Sequence, residues 1–152
     1  MHQINSLSKG QTLVYLSDKI KLCKVPKTKV FQVRNWKENK RSIIVQIKQF
    51  FKKEKFLAIR SSAINEDSIK YSLAGKYYSE LFVNNKNKQK IIKSIDKVIN
   101  SYEKKNLSNN EFIVQEMIMG SEISGVVFTK DPNTNAPYYV INYDDTSGLT
   151  DS

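Results

Sequence analysis

Between residues 87 and 104 the apolar side chains fall at Ile91, Ile92, Ile95, Val98, Ile99 and Tyr102. Steps of three and four lay these residues along one face of a helix, and no strand would do so. A stripe that broad has to be covered, and the neighbouring sequence supplies strands to cover it. FLAIR at 56 to 60 is a short apolar run that ends on a cation. EFIVQEM at 111 to 117, ISGVVFT at 123 to 129 and YYVINY at 138 to 143 also read as strands. The last two are joined by Asp131-Pro132-Asn133-Thr134-Asn135, which is turn chemistry.

The first half of the chain interleaves the two kinds of element. Leu13, Leu16 and Ile20 set a helix over 10 to 22, and Val25-Pro26 closes it, because proline disfavours helix in the residue before it. KVFQV at 29 to 33 alternates like a strand. A second helix is expected over 35 to 53, with Ile43, Ile44, Ile47, Phe50 and Phe51 as its stripe. YYSELFV at 77 to 83 reads as a further strand, and Asn84-Asn85 break the chain after it. Helices and strands alternate early and strands gather late, which predicts an α+β fold with mixed or antiparallel sheets and flanking helices. A polar SGLTDS directly after a strand is not a closing element, so the fold is expected to stop partway.

Composition narrows the function classes. No apolar run approaches the ~18 residues of a membrane span, and MHQINSLSKGQTL lacks the apolar core of a secretion signal, so a cytoplasmic protein is expected. One cysteine, Cys23, allows no internal disulfide and is expected to be a small buried hydrophobe. Residues 1 to 60 hold fifteen Lys/Arg and three Asp/Glu, a balance of +12, whereas residues 61 to 152 hold ten and twelve, a balance of −2. Such a gradient suits a polyanion, either a nucleotide or a nucleic acid. A basic nucleic-acid-binding protein is therefore the rival reading. Against it, the basic residues fall on ordinary amphipathic helices and do not interleave with aromatics on one strand face.

The densest chemistry lies in AIRSSAINEDSIKYSLAGKYYSELFV, residues 58 to 83. Arg60 leaves a buried strand with its direction fixed, and its planar fork can grip two phosphate oxygens. Ser61 and Ser62 add hydroxyls, and Ala74-Gly75 allows backbone N–H groups to approach a ligand closely. The spacing is not that of a P-loop, and Arg60 paired with Glu66 or Asp67 in a surface loop would read the same way. In FIVQEM, Gln115-Glu116 interrupt an apolar strand that Met117 resumes, so the segment can present itself to an adenine edge and face, although on its own it reads first as an ordinary half-buried strand with its polar residues facing out.

Taken together, these stretches resemble the nucleotide-binding domain of phosphoenolpyruvate synthase and pyruvate phosphate dikinase, an ATP-grasp fold shared by rifampicin-type phosphotransferases. The family shows R-S-S-A, an acidic pair, S-x-A-G-x-(Y/F), V-Q-x-M and S-G-V-x-F-T-x-D-P. The chain has Arg60-Ser61-Ser62-Ala63, Glu66-Asp67, Ser72-Leu73-Ala74-Gly75-Lys76-Tyr77, Val114-Gln115-Glu116-Met117 and Ser124-Gly125-Val126-Val127-Phe128-Thr129-Lys130-Asp131-Pro132. The match covers about residues 58 to 148. A looser one covers Ser8-Lys9-Gly10-Gln11-Thr12-Leu13 and Val25-Pro26, where Leu7 and Ser8 replace the leading glycines of the family's G-G-K-G.

The resemblance implies a single, partial ATP-grasp domain over residues 1 to 152. Its N-terminal subdomain would run to about 105, and an adenine-lining β subdomain would start at about 106. It implies that Lys9 and Arg60 hold the ATP phosphates, with Gly75 on the loop over them and Ser79 where the family often has threonine. Gln115 and Met117 would line the adenine pocket. The implied chemistry is Mg²⁺-assisted phosphoryl transfer from ATP, with the protein acting by positioning and charge. Two departures limit it. Asn142 stands where the family has glutamate, and the metal ligands are expected outside this chain, since Asp144 and Asp145, adjacent on a strand, point opposite ways. The only histidine, His2, is no candidate for the family's phosphohistidine carrier, and no acceptor domain fits in this length. A companion chain supplying the missing parts, or a degenerate relative that binds a partner without nucleotide, are the consequences to weigh.

Overall fold

The computed structural model describes residues 7–63, 77–103 and 107–146. Among them the chain forms two compact units, one ending at Met117 and the other beginning at Ile118.

The first unit opens with helix α1 (Lys9–Ser17) and strand β1 (Thr28–Gln32). Helices α2 (Val33–Glu38) and α3 (Lys40–Phe50) follow, then strands β2 (Phe56–Ser62) and β3 (Glu80–Asn84). Helix α4 (Lys88–Asn100), a short 3₁₀ turn (Leu107–Asn109) and strand β4 (Glu111–Glu116) complete it. The four strands form one sheet in the order β1, β4, β2, β3, with every neighbouring pair antiparallel. Chain order and sheet order differ because β4 returns to lie between β1 and β2. Thr28 faces Gln115 and Gln32 faces Glu111 on one side of β4, while Leu57 faces Glu116 and Ser62 faces Glu111 on the other.

Register divides the sheet into two faces, since residues directly opposite one another share a face. One carries Phe31, Leu57, Ile59, Phe112 and Val114, and it packs against Val33 and Trp36 of α2, Ile43, Ile44 and Ile47 of α3, and Ile91, Ile95, Val98 and Ile99 of α4. The Phe31 and Phe112 rings stack at 5.5 Å, and Trp36 meets Phe112 edge-on at 6.0 Å. At ~25 cal/mol per Å² of apolar area removed from water, this is the main source of the unit's stability. The expected stripe of α4 is the one observed, and Tyr102 just beyond the helix is buried with it.

Several boundaries differ from expectation for local reasons. α1 ends at Ser17, well before Val25-Pro26, with the Lys19 and Ile20 N–H groups closing on the Leu16 carbonyl. The helix expected over 35 to 53 is two helices, because Asn39 leaves helical geometry (φ −148°, ψ 73°) and its side chain caps α3 through the Ser42 N–H. Phe51 is buried, whereas Phe50 is 37 % exposed. Val33 begins α2 and does not end the strand before it, and β3 starts at Glu80, three residues after the expected 77. Cys23 is exposed rather than buried, because it lies between α1 and β1 in a segment whose residues 21 to 24 are all exposed. β4 is buried from Glu111 to Gln115, so a half-buried strand is ruled out.

The second unit is a hairpin of β5 (Ser124–Phe128) and β6 (Val140–Asp144), paired from Ser124 opposite Asp144 to Phe128 opposite Val140. The Asp131 carboxylate accepts from the Asn133 and Thr134 N–H groups, which forms the turn that Asp-Pro-Asn-Thr announced. Ile123, Val127, Ile141 and Tyr143 are exposed.

Candidate functional site

The other face of the first unit's sheet carries the polar residues. Across β1, β4 and β2 it reads Gln32, Glu111, Ser62 in one row, Val30, Ile113, Arg60 in the next, and Thr28, Gln115, Ala58 in the third. Three of these are polar yet buried: Ser62, Glu111 and Gln115. Buried polar groups need partners, and each has one.

Helix α1 lies on this face by its first turn. The Gly10 N–H donates to Ser62 Oγ at 3.0 Å. A Cβ on Gly10 would stand 2.8 Å from Val30 Cγ2 and 3.0 Å from Ile113 Cγ1, so glycine is what allows the helix to sit this close. Ser8 caps the helix, with its hydroxyl accepting from the Gln11 N–H and the Gln11 side chain accepting from the Ser8 N–H. Glu111 is 6 % exposed, and it accepts from Ser8 Oγ at 2.5 Å and from Gln11 Nε2 at 2.8 Å. Tyr102 ties the far side of the same row by accepting from the Ser62 N–H and donating to the Glu111 carbonyl.

The start of α1, residues Lys9 and Gly10, therefore lies over the row that Arg60 closes. Arg60 is half-buried, and its Nε is buried without a hydrogen-bond partner. A guanidinium held by a rigid strand with a donor unspent is suited to an anion. Ser79 is exposed and precedes Glu80, whose register partner is Ile59, next to Arg60. Gln115 is on the same face, two residues along β4 from Ile113, but its amide already donates to Thr28 Oγ1 at 2.9 Å. The Met117 N–H donates to the Phe56 carbonyl and extends the β4–β2 pairing by one residue. Ser61 and Ser62, expected to offer hydroxyls to phosphate, are both buried. Ser62 Oγ is taken by Gly10, and Ser61 stands opposite Phe112 on the core face. Gly75, with Glu66, Asp67 and Ala74, lies outside the described residues.

From Ile113, the neighbour of Arg60, to Met117 is four residues of antiparallel strand, about 14 Å at ~3.4 Å each. Among the described residues no group of three or more histidine, cysteine or carboxylate side chains gathers as a metal site, and no helix is long and apolar enough to cross a membrane.

The sequence profile of the pyruvate phosphate dikinase AMP/ATP-binding domain matches residues 34–145. The chain belongs to that family. No curated protein matches it. The family is one that binds AMP or ATP, so the chain is the ATP-binding portion of a protein like pyruvate phosphate dikinase or phosphoenolpyruvate synthase. Arg60, Ser79, Gln115 and Met117 fall inside the matched span, as does Gly75, whereas Lys9 precedes it. Its neighbour Gly10 is bonded to Ser62, two residues along β2 from Arg60. Sequence reasoning missed Glu111, Gln11 and Thr28. The available signal was an acid opening an otherwise apolar strand, and its partners lie about a hundred positions away.

Proposed function

We propose that ATP binds at the margin of the second face of the first unit's sheet, with its phosphates at Lys9 and Arg60 and its adenine toward Met117 and the Gln115 end of β4. The observation that carries this reading is the unpartnered Nε of Arg60, buried beside the start of α1 in a chain of an AMP/ATP-binding family. Ser79 contributes a hydroxyl near Arg60, and Gly75, outside the described residues, keeps only the role that the resemblance implies. Gln115 acts through packing, since its Nε2 donates to Thr28 and its strand is hydrogen-bonded on both sides. Met117 offers a polarizable surface to a flat ring.

The fold is read as the N-terminal part of an ATP-grasp domain. The subdomain break expected near residue 105 is proposed at the join after Met117, because β4 is hydrogen-bonded on both sides within the first unit's sheet. Mg²⁺, if bound with the nucleotide, would neutralise charge at its phosphates. The residues present fit binding and orientation of the nucleotide. Phosphoryl transfer itself, as in a kinase or other transferase, needs a carrier and an acceptor that a companion chain or further domains would supply. The setting is a cytoplasmic one.

Thermal denaturation with MgATP, MgGTP and a short single-stranded oligonucleotide tests this. MgATP should raise the midpoint in proportion to the logarithm of its concentration above Kd, and Arg60→Ala should reduce the effect. Stabilisation by the oligonucleotide with none by MgATP would replace this reading with the nucleic-acid one.

A further inference from the structure

We propose that Glu111 is a positioning residue: through Ser8 and Gln11 it holds the start of α1, and with it Lys9, at the phosphate end of the site. This rests on the nucleotide reading above. Helix α1 has nine residues, too few to be stable alone, and only Gly10 of them is buried. Val14 and Tyr15 on its later turns are exposed. Leu13 and Leu16 are only half-buried, so the polar anchoring of the helix lies in its first turn: the Gly10–Ser62 bond, and the Glu111 carboxylate, whose two oxygens accept from the cap residue Ser8 and from Gln11.

A carboxylate removed from water is costly unless hydrogen-bonded, so the two bonds to α1 are what make Glu111 tolerable in the middle strand. The latch also closes off a common means of binding phosphate. The N–H groups of Gly10, Gln11 and Thr12 go to Ser62 Oγ, Ser8 Oγ and the Ser8 carbonyl. These three amides of the helix start are thus satisfied within the protein, and Lys9 is the charged residue of that turn. Ser8 stands where the resembling family has a glycine, and its hydroxyl is the group that reaches Glu111.

The test uses the intact chain with Glu111→Ala, Glu111→Gln and the reciprocal swap Gln11→Glu/Glu111→Gln, which keeps the latch while reversing its donor and acceptor. Amide hydrogen exchange without nucleotide reads the helix. Titration calorimetry with MgATP and with adenosine, below each variant's unfolding temperature, reads the site. Glu111→Ala should speed exchange in the first turns of α1 by about tenfold and weaken MgATP by about tenfold, with α4 exchange and adenosine affinity unchanged. The swap should restore both to within about threefold of wild type. Unaltered α1 exchange in Glu111→Ala overturns the latch, as does equal weakening of ATP and adenosine or a swap that rescues nothing. Should Glu111→Ala not fold, Glu111→Gln against the swap decides by the same measures. A wild-type chain that binds no MgATP overturns the nucleotide reading and the role of Lys9, while exchange still decides whether Glu111 holds α1.

Discussion

Replacing Glu80 with glutamine removes the carboxylate that β3 presents to α4, and its effect should depend on pH in a defined direction. The side chain is 12 % exposed and accepts from Lys90 Nζ at 2.5 Å, Lys97 Nζ at 3.3 Å and the Tyr78 hydroxyl. The Lys90 hydrogen bond, followed by that from Tyr78, holds its pKa down at about 2 against an ordinary 4.5, although burial pushes the other way. At ~1.4 kcal/mol per pH unit the gap sets a ceiling near 3 kcal/mol. Both lysines are about half exposed, so solvent screening cuts the expected value to about 1–2 kcal/mol.

The folded pKa lies below the unfolded one. The contribution is therefore complete above about pH 4.5 and is lost as pH falls from there through about 2. Urea denaturation of wild type and Glu80→Gln at pH 7, 5, 3.5 and 2.5 measures it. Wild type should lead by about 1–2 kcal/mol at pH 7 and 5 and by progressively less below. The two proteins should converge near pH 2. Equal stability at pH 7, or a lead that stays constant down to pH 2.5, would refute the reasoning.

Ile95→Ala deletes a side chain with no exposed area in the centre of the α4 stripe and should cost about 2–5 kcal/mol in the same denaturation assay. Gly125→Ala would place a Cβ 2.4 Å from the Asn142 carbonyl oxygen. It should lift β5 from β6, seen as lost protection of the hairpin amides in hydrogen exchange while the first unit's sheet keeps its protection.

How much could be read from the sequence depended on the range of the interaction. The α4 stripe, the apolar run of β2 and the Asp131 turn are set by residues within a few positions of one another, and all three appear where the pattern placed them. The break at Asn39 was hidden because Ile43, Ile44 and Ile47 continue a helical period across it. The early end of α1 was hidden for a similar reason, since Leu13, Leu16 and Ile20 keep helical spacing beyond the last hydrogen-bonded turn. β4 misled most. Glu111 and Gln115 look like solvent-facing positions, but β1 and β2 enclose the strand and α1 lies over it. Arg60 was legible as a cation leaving a strand. That Ser62 would accept from Gly10, and so bring Lys9 to the same face, was not, because 52 residues separate the pair. Long-range pairing also explains why Ser61 and Ser62, read as hydroxyls for a ligand, are spent within the protein.

The account's central claim is that nucleotide binds at the margin of the sheet face that α1 and Arg60 share. Backbone amide NMR shifts on titration with MgATP, in wild type and Arg60→Ala, test it most directly. The account predicts saturable shifts at Gly10, Arg60, Ser79 and Met117, weakened by the substitution, with the buried stripe of α4 unmoved. Shifts confined to the β5–β6 hairpin or to the outer face of α3, or no shifts at millimolar MgATP, would contradict it.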